Sequence, residues 1–271
     1  MSELFDLSGK TAFVTGAAGI LGHGFCRVLA EHGAAVALVD LDEQRLSAVA
    51  DAIRSDVAGA DLLPVVCDVT DEESVKAAVD RTVSHFGGID VLHSNAAGKS
   101  RDIKAFFADF EDYDAQTWRE IMSINIDGMF LVAKAVGRQM IAQKRGGSVI
   151  MTSSVYGVVA PDPRIYEGSE YMGVRIGSPA VYSASKAAVI GLARYLSAYW
   201  GPHGIRVNVL TPGGVESGQN DTFRANYASR IPLGRMAERS DMYGALIYLA
   251  SDASGYVTGQ NLVVDGGLTA W

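Results

Sequence analysis

The chain has 271 residues, of which 48% are hydrophobic and 20% charged, and its formal net charge is −8. That apolar content suits a large packed core and excludes a disordered chain. The acidic balance, with no basic run anywhere, argues against nucleic acid or an anionic membrane as partner, because both need clustered Lys and Arg.

Two cysteines, Cys26 and Cys67, lack any metal-ligand spacing, so no metal is expected and the composition fits a reducing cytoplasm. The opening MSELFDLSGKT has no basic-then-apolar leader pattern. No apolar run approaches membrane-spanning length. The expectation is a cytoplasmic protein that spans no membrane.

In chain order, residues 10–15 read as a strand, followed by a Gly-rich turn and a helix to about His32. Residues 34–40 form a second strand, apolar nearly throughout, as strands covered on both faces are. Periodicity predicts a helix over 42–57, then a strand over 62–66 ending at Cys67 and Asp68. Asp71 opens a helix to about Phe86, with Gly87 and Gly88 as its stop. A strand over 89–93 precedes one long helix over 114–143. Strand 148–153, helix 180–200, strand 205–210, helix 240–251 and strand 261–265 complete the pattern.

This alternation implies an α/β fold: a single-domain, doubly wound parallel sheet of Rossmann type, with helices on both faces, spanning 1–271. Two irregular stretches break the rhythm, at about 160–179 and about 213–232. Long irregular insertions usually carry function. Both should lie beyond the C-terminal ends of strands, where such sheets bind ligands.

Residues 15–22 read TGAAGILG between a strand and a helix. Gly16, Gly19 and Gly22 would let the backbone turn sharply and approach a pyrophosphate at the helix N-terminus, with Ile20 and Leu21 on the same turn. Alone, such a turn is equally an ordinary tight connection. Asp40 ends the second strand, where an acid can hydrogen-bond the ribose hydroxyls of NAD. A 2′-phosphate would be repelled there, and no Arg or Lys stands in the loop or at Leu41, Asp42 or Glu43 to offset this. NAD is therefore expected over NADP. The bland alternative for Asp40 is a helix cap or solvated turn residue.

Residues 182–186 read YSASK at the start of a helix, which puts Tyr182 and Lys186 on one face. A phenol with a pKa of about 10 is a poor base near neutrality. A nearby ammonium favours its phenolate. Ser154, ending the fifth strand, is placed to hold a substrate oxygen. A half-buried ring and a solvated amine would have the same spacing; the dinucleotide loop in the same sheet turns the balance toward chemistry.

Together these residues resemble the short-chain dehydrogenases/reductases in their single-domain form, over roughly Leu7 to Leu268. TGAAGILG looks like the family's cofactor loop. Cys67, Asp68 and Val69 resemble its adenine-contacting segment. Ser94, Asn95, Ala96 and Ala97 stand where the family has Asn-Asn-Ala-Gly. Asn125, in SINIDG, stands where the family has an Asn supporting a proton relay. Pro212 and Gly213 match the turn near the nicotinamide amide, with Val215 beside it and Ser217 where a Thr often contacts that amide. GYVTGQNLVVDGG is similar to the family's last strand. The resemblance implies Asn125, Ser154, Tyr182 and Lys186 as the catalytic set. It implies cofactor contacts from Gly16, Gly19, Ile20, Leu21, Gly22, Asp40, Leu41, Asp68, Val69, Asn95, Ala96, Ala97, Tyr182, Lys186, Pro212, Gly213, Val215 and Ser217. In the implied mechanism Tyr182 takes the alcohol proton, Lys186 binds the nicotinamide ribose and lowers the tyrosine pKa, Ser154 orients the substrate oxygen, and Asn125 holds a relay water.

Three features depart from that pattern. The loop spacing Thr-Gly-x-x-Gly-x-x-Gly resembles the longer branch of nucleotide-sugar epimerases and dehydratases, although the chain looks too short for that branch's second domain. Ala97 replaces a Gly, with Gly98 one position later. Ser154 and Tyr182 are separated by an unusually long, Pro- and Gly-rich stretch.

That stretch carries Asp162, Arg164, Tyr166, Glu167, Glu170, Tyr171 and Arg175. It can be a lid binding a polyhydroxylated or anionic substrate, or equally a surface loop or subunit contact. Glu216 and Gln219 are further candidates to face the substrate. The insertion, the Gly spacing of the loop and the TAW ending together resemble family members acting on sugars, sugar acids or polyols, and imply such a substrate here. The resemblance also implies a homo-oligomer, tetramer or dimer, with the aromatic face of 193–200 and Trp271 either contacts or ordinary core. The expected activity is NAD-dependent hydride transfer between the nicotinamide and an alcohol or carbonyl of a small molecule. The alternatives are an epimerase or dehydratase that retains NAD, and a non-catalytic NAD-binding regulator, against which the intact catalytic set argues.

Overall fold

Seven of the short apolar segments pair side by side into one parallel sheet: β1 (Thr11–Thr15), β2 (Ala35–Asp40), β3 (Leu62–Val66), β4 (Val91–Ser94), β5 (Gly147–Thr152), β8 (Ile205–Pro212) and β9 (Asn261–Val264). A computed structural model describes residues 3–100 and 102–271. The strand order is β3-β2-β1-β4-β5-β8-β9. The chain therefore reverses direction across the sheet between β1 and β4, and the ends of those two strands open a crevice. Two further strands, β6 (Glu170–Tyr171) and β7 (Val174–Arg175), form a separate antiparallel ribbon inside the 160–179 insertion.

β1 is buried along its whole length, because helices cover both faces. Successive side chains on a strand point to opposite faces. Phe13 accordingly joins a core formed with α3 (Glu72–Phe86), α6 (Gly128–Gln143) and α7 (Ala180–Trp200). Its neighbours Ala12 and Val14 join the opposite core with α1 (Gly22–Glu31), α2 (Glu43–Asp56) and α9 (Tyr243–Ala250). Local chemistry sets the helix ends. Asp42 caps α2 by accepting the Arg45 N–H at 3.0 Å, and Asp71 caps α3 by accepting the Glu73 N–H at 3.0 Å. Gly87 stops α3 in the left-handed conformation, φ 82°.

The fold class expected from sequence is the one observed. The long helix over 114–143 is corrected: it is α5 (Ala115–Met122), one π turn (Ser123–Asp127) and α6. The wider turn carries Asn125, whose side chain is committed to other segments; π turns commonly mark such sites. Two short helices were not anticipated, α4 (Ile103–Phe106) and α8 (Asp221–Ala228), the latter inside the 213–232 stretch and capped by Asn220 on the Phe223 N–H at 2.8 Å. Among the described residues no helix is long and apolar enough to cross a membrane.

Candidate active site

A cleft of about 740 Å³ runs along the C-terminal ends of the central strands. At its base Gly16 adopts φ 67°, and a Cβ there would lie 2.9 Å from Ala96 Cα. The turn after β1 therefore rests directly on the turn after β4. Thr15 Oγ1 locks the two together, accepting the N–H groups of Asn95 at 3.0 Å and Ala96 at 3.1 Å. Gly16, Gly19, Ile20 and Leu21 line the cleft on one side and Asn95, Ala96 and Ala97 on the other. α1 begins without a side-chain cap, so its positive pole is left for an anion.

Gly22 stands apart from the other loop glycines. It is buried, does not line the cleft, and a Cβ there would collide with the Gly16 carbonyl oxygen. Its place in the structure is to let α1 approach the turn.

Asp40 and Leu41 line the far end of the cleft. The Asp40 carboxylate is held in place by the Ala18 N–H at 2.9 Å and the Leu41 N–H at 2.8 Å, leaving it room for further donors. The loop and residues 41–43 hold no basic group, but one reaches the cleft from further along the chain. Arg45, on the first turn of α2, lines the cleft and donates through Nη2 to the Ala18 carbonyl. The sequence reading stopped at Glu43; the cap at Asp42 turns the helix so that Arg45 faces back. Asp68 and Val69 line the adjoining wall, and Asp68 is fixed by the Thr70 N–H at 2.9 Å.

At the other end stand Ser154, Tyr182 and Lys186. Ser154 follows β5 and accepts the Tyr156 N–H at 3.3 Å. Lys186 is 2% exposed. Its Nζ donates to the Thr152 carbonyl at 3.1 Å and lies 5.9 Å from the centre of the Tyr182 ring. Burial pulls the Lys186 ammonium down to about 8. Burial also pushes the Tyr182 phenol up, while the neighbouring Ser154 hydroxyl works the other way. The lowering by Lys186 that the resemblance implies is not among the influences on this phenol here, of which desolvation is the largest.

Asn125 is fully buried and lies outside the cleft wall. Its Oδ1 accepts the Gly98 N–H at 2.9 Å and its Nδ2 donates to Ser185 Oγ at 3.2 Å. It thus joins the turn after β4 to the residue preceding Lys186. Gly98, not Ala97, makes this contact, and a Cβ at 98 would lie 2.9 Å from Ile124 Cδ1. Pro212, Gly213, Val215 and Ser217 form the wall facing Tyr182.

Sequence reasoning missed Arg45, Thr70, Gly98, Glu120, Ser123, Ile124, Thr152 and Ser153, all on the cleft wall. Thr152 had a usable signal, two residues before Ser154 at the end of β5. Its carbonyl holds Lys186, and its Oγ1 is bonded to buried His93 Nε2 at 2.9 Å.

A second cavity of about 300 Å³ adjoins the cleft and shares Ser154, Tyr182, Gly213 and Val215 with it. The 160–179 insertion supplies Tyr166 and residues 177–179 to its wall, and the 213–232 stretch supplies Gln219, Phe223 and Tyr227. Tyr156, not anticipated, stands between them. The insertion's charged residues do not enter this cavity. Asp162 pairs with Arg164 at 2.7 Å and with Arg230 at 3.2 Å. Glu170, Tyr171 and Arg175 lie on the exposed ribbon, where Lys99 Nζ sits 4.7 Å from the Tyr171 ring centre. Glu216 faces Arg224 at 3.8 Å instead. Gln219 lines the cavity, but its amide is engaged by Val215 and Ser217. The late aromatic face divides: Trp200 is core, whereas Tyr195 and Tyr199 stack outward with ring centres 5.8 Å apart.

A family model described as enoyl-(acyl carrier protein) reductase matches residues 16–269. The chain belongs to the short-chain dehydrogenase/reductase family. It is similar to D-threitol dehydrogenase of Mycolicibacterium smegmatis, 36% identical over 98% of this chain and 95% of that one. Galactitol 2-dehydrogenase (L-tagatose-forming) of Cereibacter sphaeroides is 35% identical, over 99% and 98%. Trans-4-hydroxycyclohexanecarboxylate dehydrogenase of Sinomonas cyclohexanicum is 38% identical, over 100% and 97%. Among solved structures, a short-chain type dehydrogenase/reductase from Mycobacterium marinum superposes with TM-score 0.86 at 35% identity, covering 100% of both chains. A gluconate 5-dehydrogenase from Burkholderia cenocepacia in complex with NADP and tartrate gives 0.86 at 33%, over 99% and 98%. A short chain dehydrogenase from Leptospira borgpetersenii with bound NAD+ gives 0.83 at 29%, over 97% and 94%. The protein is thus a nicotinamide-dependent oxidoreductase acting on CH–OH groups.

Proposed function

We propose that this enzyme oxidises a secondary alcohol of a small polyol or sugar-like substrate with NAD, and runs the reverse reduction. One observation carries this reading: Ser154 and Tyr182 are shared by the nucleotide-sized cleft and the smaller cavity, so one wall serves both ligands. Relatives named for threitol and galactitol support the substrate class.

In this reading Ser154 holds the substrate oxygen and Tyr182, deprotonated to its phenolate, takes the hydroxyl proton through Oη as the carbon–hydrogen bond breaks. When bound, the nicotinamide supplies a hydride acceptor. Lys186, anchored on the Thr152 carbonyl, presents its ammonium to the ribose side of the cleft. Asn125 acts at one remove, fixing Gly98 and Ser185 around that lysine. Asp40 accepts from ribose hydroxyls and disfavours a 2′-phosphate, and Arg45 stays engaged on the Ala18 carbonyl. The chain acts in the cytoplasm as a homo-oligomer, with the outward Tyr195 and Tyr199 as subunit contacts.

The test is reduced-nicotinamide formation from D-threitol, galactitol and D-arabinitol with NAD or NADP. Higher kcat/KM with NAD supports the reading. Preference for NADP would mean that Arg45, not Asp40, decides the cofactor, and silence on every alcohol would sink the substrate class.

A further inference from the structure

We infer that the substrate is small and uncharged, carries hydroxyls on one side and an apolar C–H face on the other, and is selected by Tyr156, Tyr166 and Tyr227. The inference rests on the dehydrogenase reading above and narrows it.

Size comes first. The substrate cavity, at about 300 Å³, stands at the bottom of the range of roughly 300–1,000 Å³ for small-molecule sites. It suits a single ring or a short polyol better than a nucleotide-linked sugar.

Charge comes next. Among the described residues, its wall contains no Asp, Glu, Lys, Arg or His. Most charged side chains near this wall are occupied with one another, and Glu167, Glu170 and Arg175 are exposed and lie outside it. Asp162 is held by Arg164 and Arg230, Arg224 by Asp221 and Glu216, and Arg235 by Asp241. A substrate carboxylate entering this space would shed water without gaining a cationic partner, which is strongly unfavourable.

What the wall does offer is neutral hydroxyls on aromatic rings. Tyr166 Oη donates to Tyr156 Oη at 3.4 Å, and Ser178 also reaches the Tyr166 hydroxyl. Tyr227 Oη accepts the Gly214 N–H at 2.6 Å and keeps its own proton for a ligand. Burial pushes all three phenols up, Tyr227 to about 12, so they remain donors at neutral pH. The Tyr166 and Tyr227 rings form a continuous face with Phe223, whose ring centre lies 5.6 Å from that of Tyr166 and 5.8 Å from that of Tyr227. Such a face packs against C–H groups while the hydroxyls take up polar ones.

Matched pairs differing only in charge test this: galactitol against galactonate, D-arabinitol against D-arabinonate, and 4-(hydroxymethyl)cyclohexanol against 4-hydroxycyclohexanecarboxylate. Each is followed by reduced-nicotinamide formation with the preferred cofactor. The neutral member should win by about 100-fold in kcat/KM. Equal turnover, or preference for the acids, overturns the inference and leaves the dehydrogenase reading standing. Silence on every pair sinks that reading instead. Calorimetry on the nucleotide-loaded protein then decides the charge question, and acids that bind as tightly as their neutral partners overturn it. Tyr166→Phe supplies the second arm. Its KM for the polyols should rise about fivefold with kcat nearly unchanged, and KM for cyclohexanol should not move. An equal KM change for cyclohexanol would take the Tyr166 hydroxyl out of substrate recognition.

Discussion

The two halves of the site are built by different means. The nucleotide side consists of short turns at strand ends, bound backbone to backbone: Gly16 rests on Ala96, Gly22 lies under the Gly16 carbonyl, and Thr15 Oγ1 stitches the β1 and β4 turns together. The substrate side consists of long loops with a small apolar cluster of their own, in which Ile165, Phe223, Tyr227, Ile231 and Met236 pack apart from the two main cores. The first half is part of the sheet and tolerates almost no added atom. The second is a satellite that can be remodelled while the sheet stays intact, which is how one fold serves many substrates.

Substitutions at the two sides should therefore fail differently. Gly22→Ala carries the largest expected effect. Its methyl would meet the Gly16 carbonyl oxygen, so thermal unfolding should show a loss of about 3 kcal/mol, together with loss of nucleotide binding in a titration. Unchanged nucleotide affinity would mean that the turn yields more easily than its contacts suggest.

Ile165→Ala should cost about 2 kcal/mol, confined to the satellite cluster. KM for the alcohol should rise several-fold while the nucleotide Kd stays put. A matching loss on the nucleotide side would show that the two halves are one cooperative unit.

Lys186→Met sharpens the contrast from within the shared wall. The buried ammonium has a folded pKa of about 8 against an ordinary 10.5. Between those values the unfolded chain holds a proton that the folded chain has lost, so wild-type stability rises with pH through that window. Below about pH 8 the full burial penalty is present. The variant should lose activity yet gain about 1–3 kcal/mol at neutral pH, a gain that fades toward pH 10.5 in denaturant titrations. A variant less stable than wild type at pH 7 would show that the Thr152 carbonyl bond outweighs desolvation.

The same contrast explains what could be read from sequence. The sheet, its helices, the loop at Gly16–Gly22, Asp40 and the Tyr182–Lys186 pair are local patterns: a period, a cap or a fixed spacing. What stayed hidden depends on distant segments. Arg45 faces the cleft through the packing of α2 against β2 and β3 together with the cap at Asp42. The π turn carries Asn125, whose side chain answers to Gly98 and Ser185, far away in sequence. The charged residues of the insertion left a lid over a polyhydroxylated or anionic substrate and a plain surface loop equally open; the structure turns Asp162 toward Arg164 and Arg230 and places Tyr166 in the wall of the smaller cavity. No periodicity separates a tyrosine that faces a cavity from one that faces solvent, as Tyr195 and Tyr199 do.

The most direct test of the account is Tyr182→Phe, with nucleotide affinity and alcohol oxidation measured on the same preparation. On the proposed assignment, in which Tyr182 carries the proton and the turns around Gly16 and Asp40 carry the nucleotide, turnover should fall about 1,000-fold while the NAD Kd changes less than about twofold. Turnover within about tenfold of wild type, at unchanged Kd, would contradict Tyr182 as the proton acceptor and the division of labour built around it.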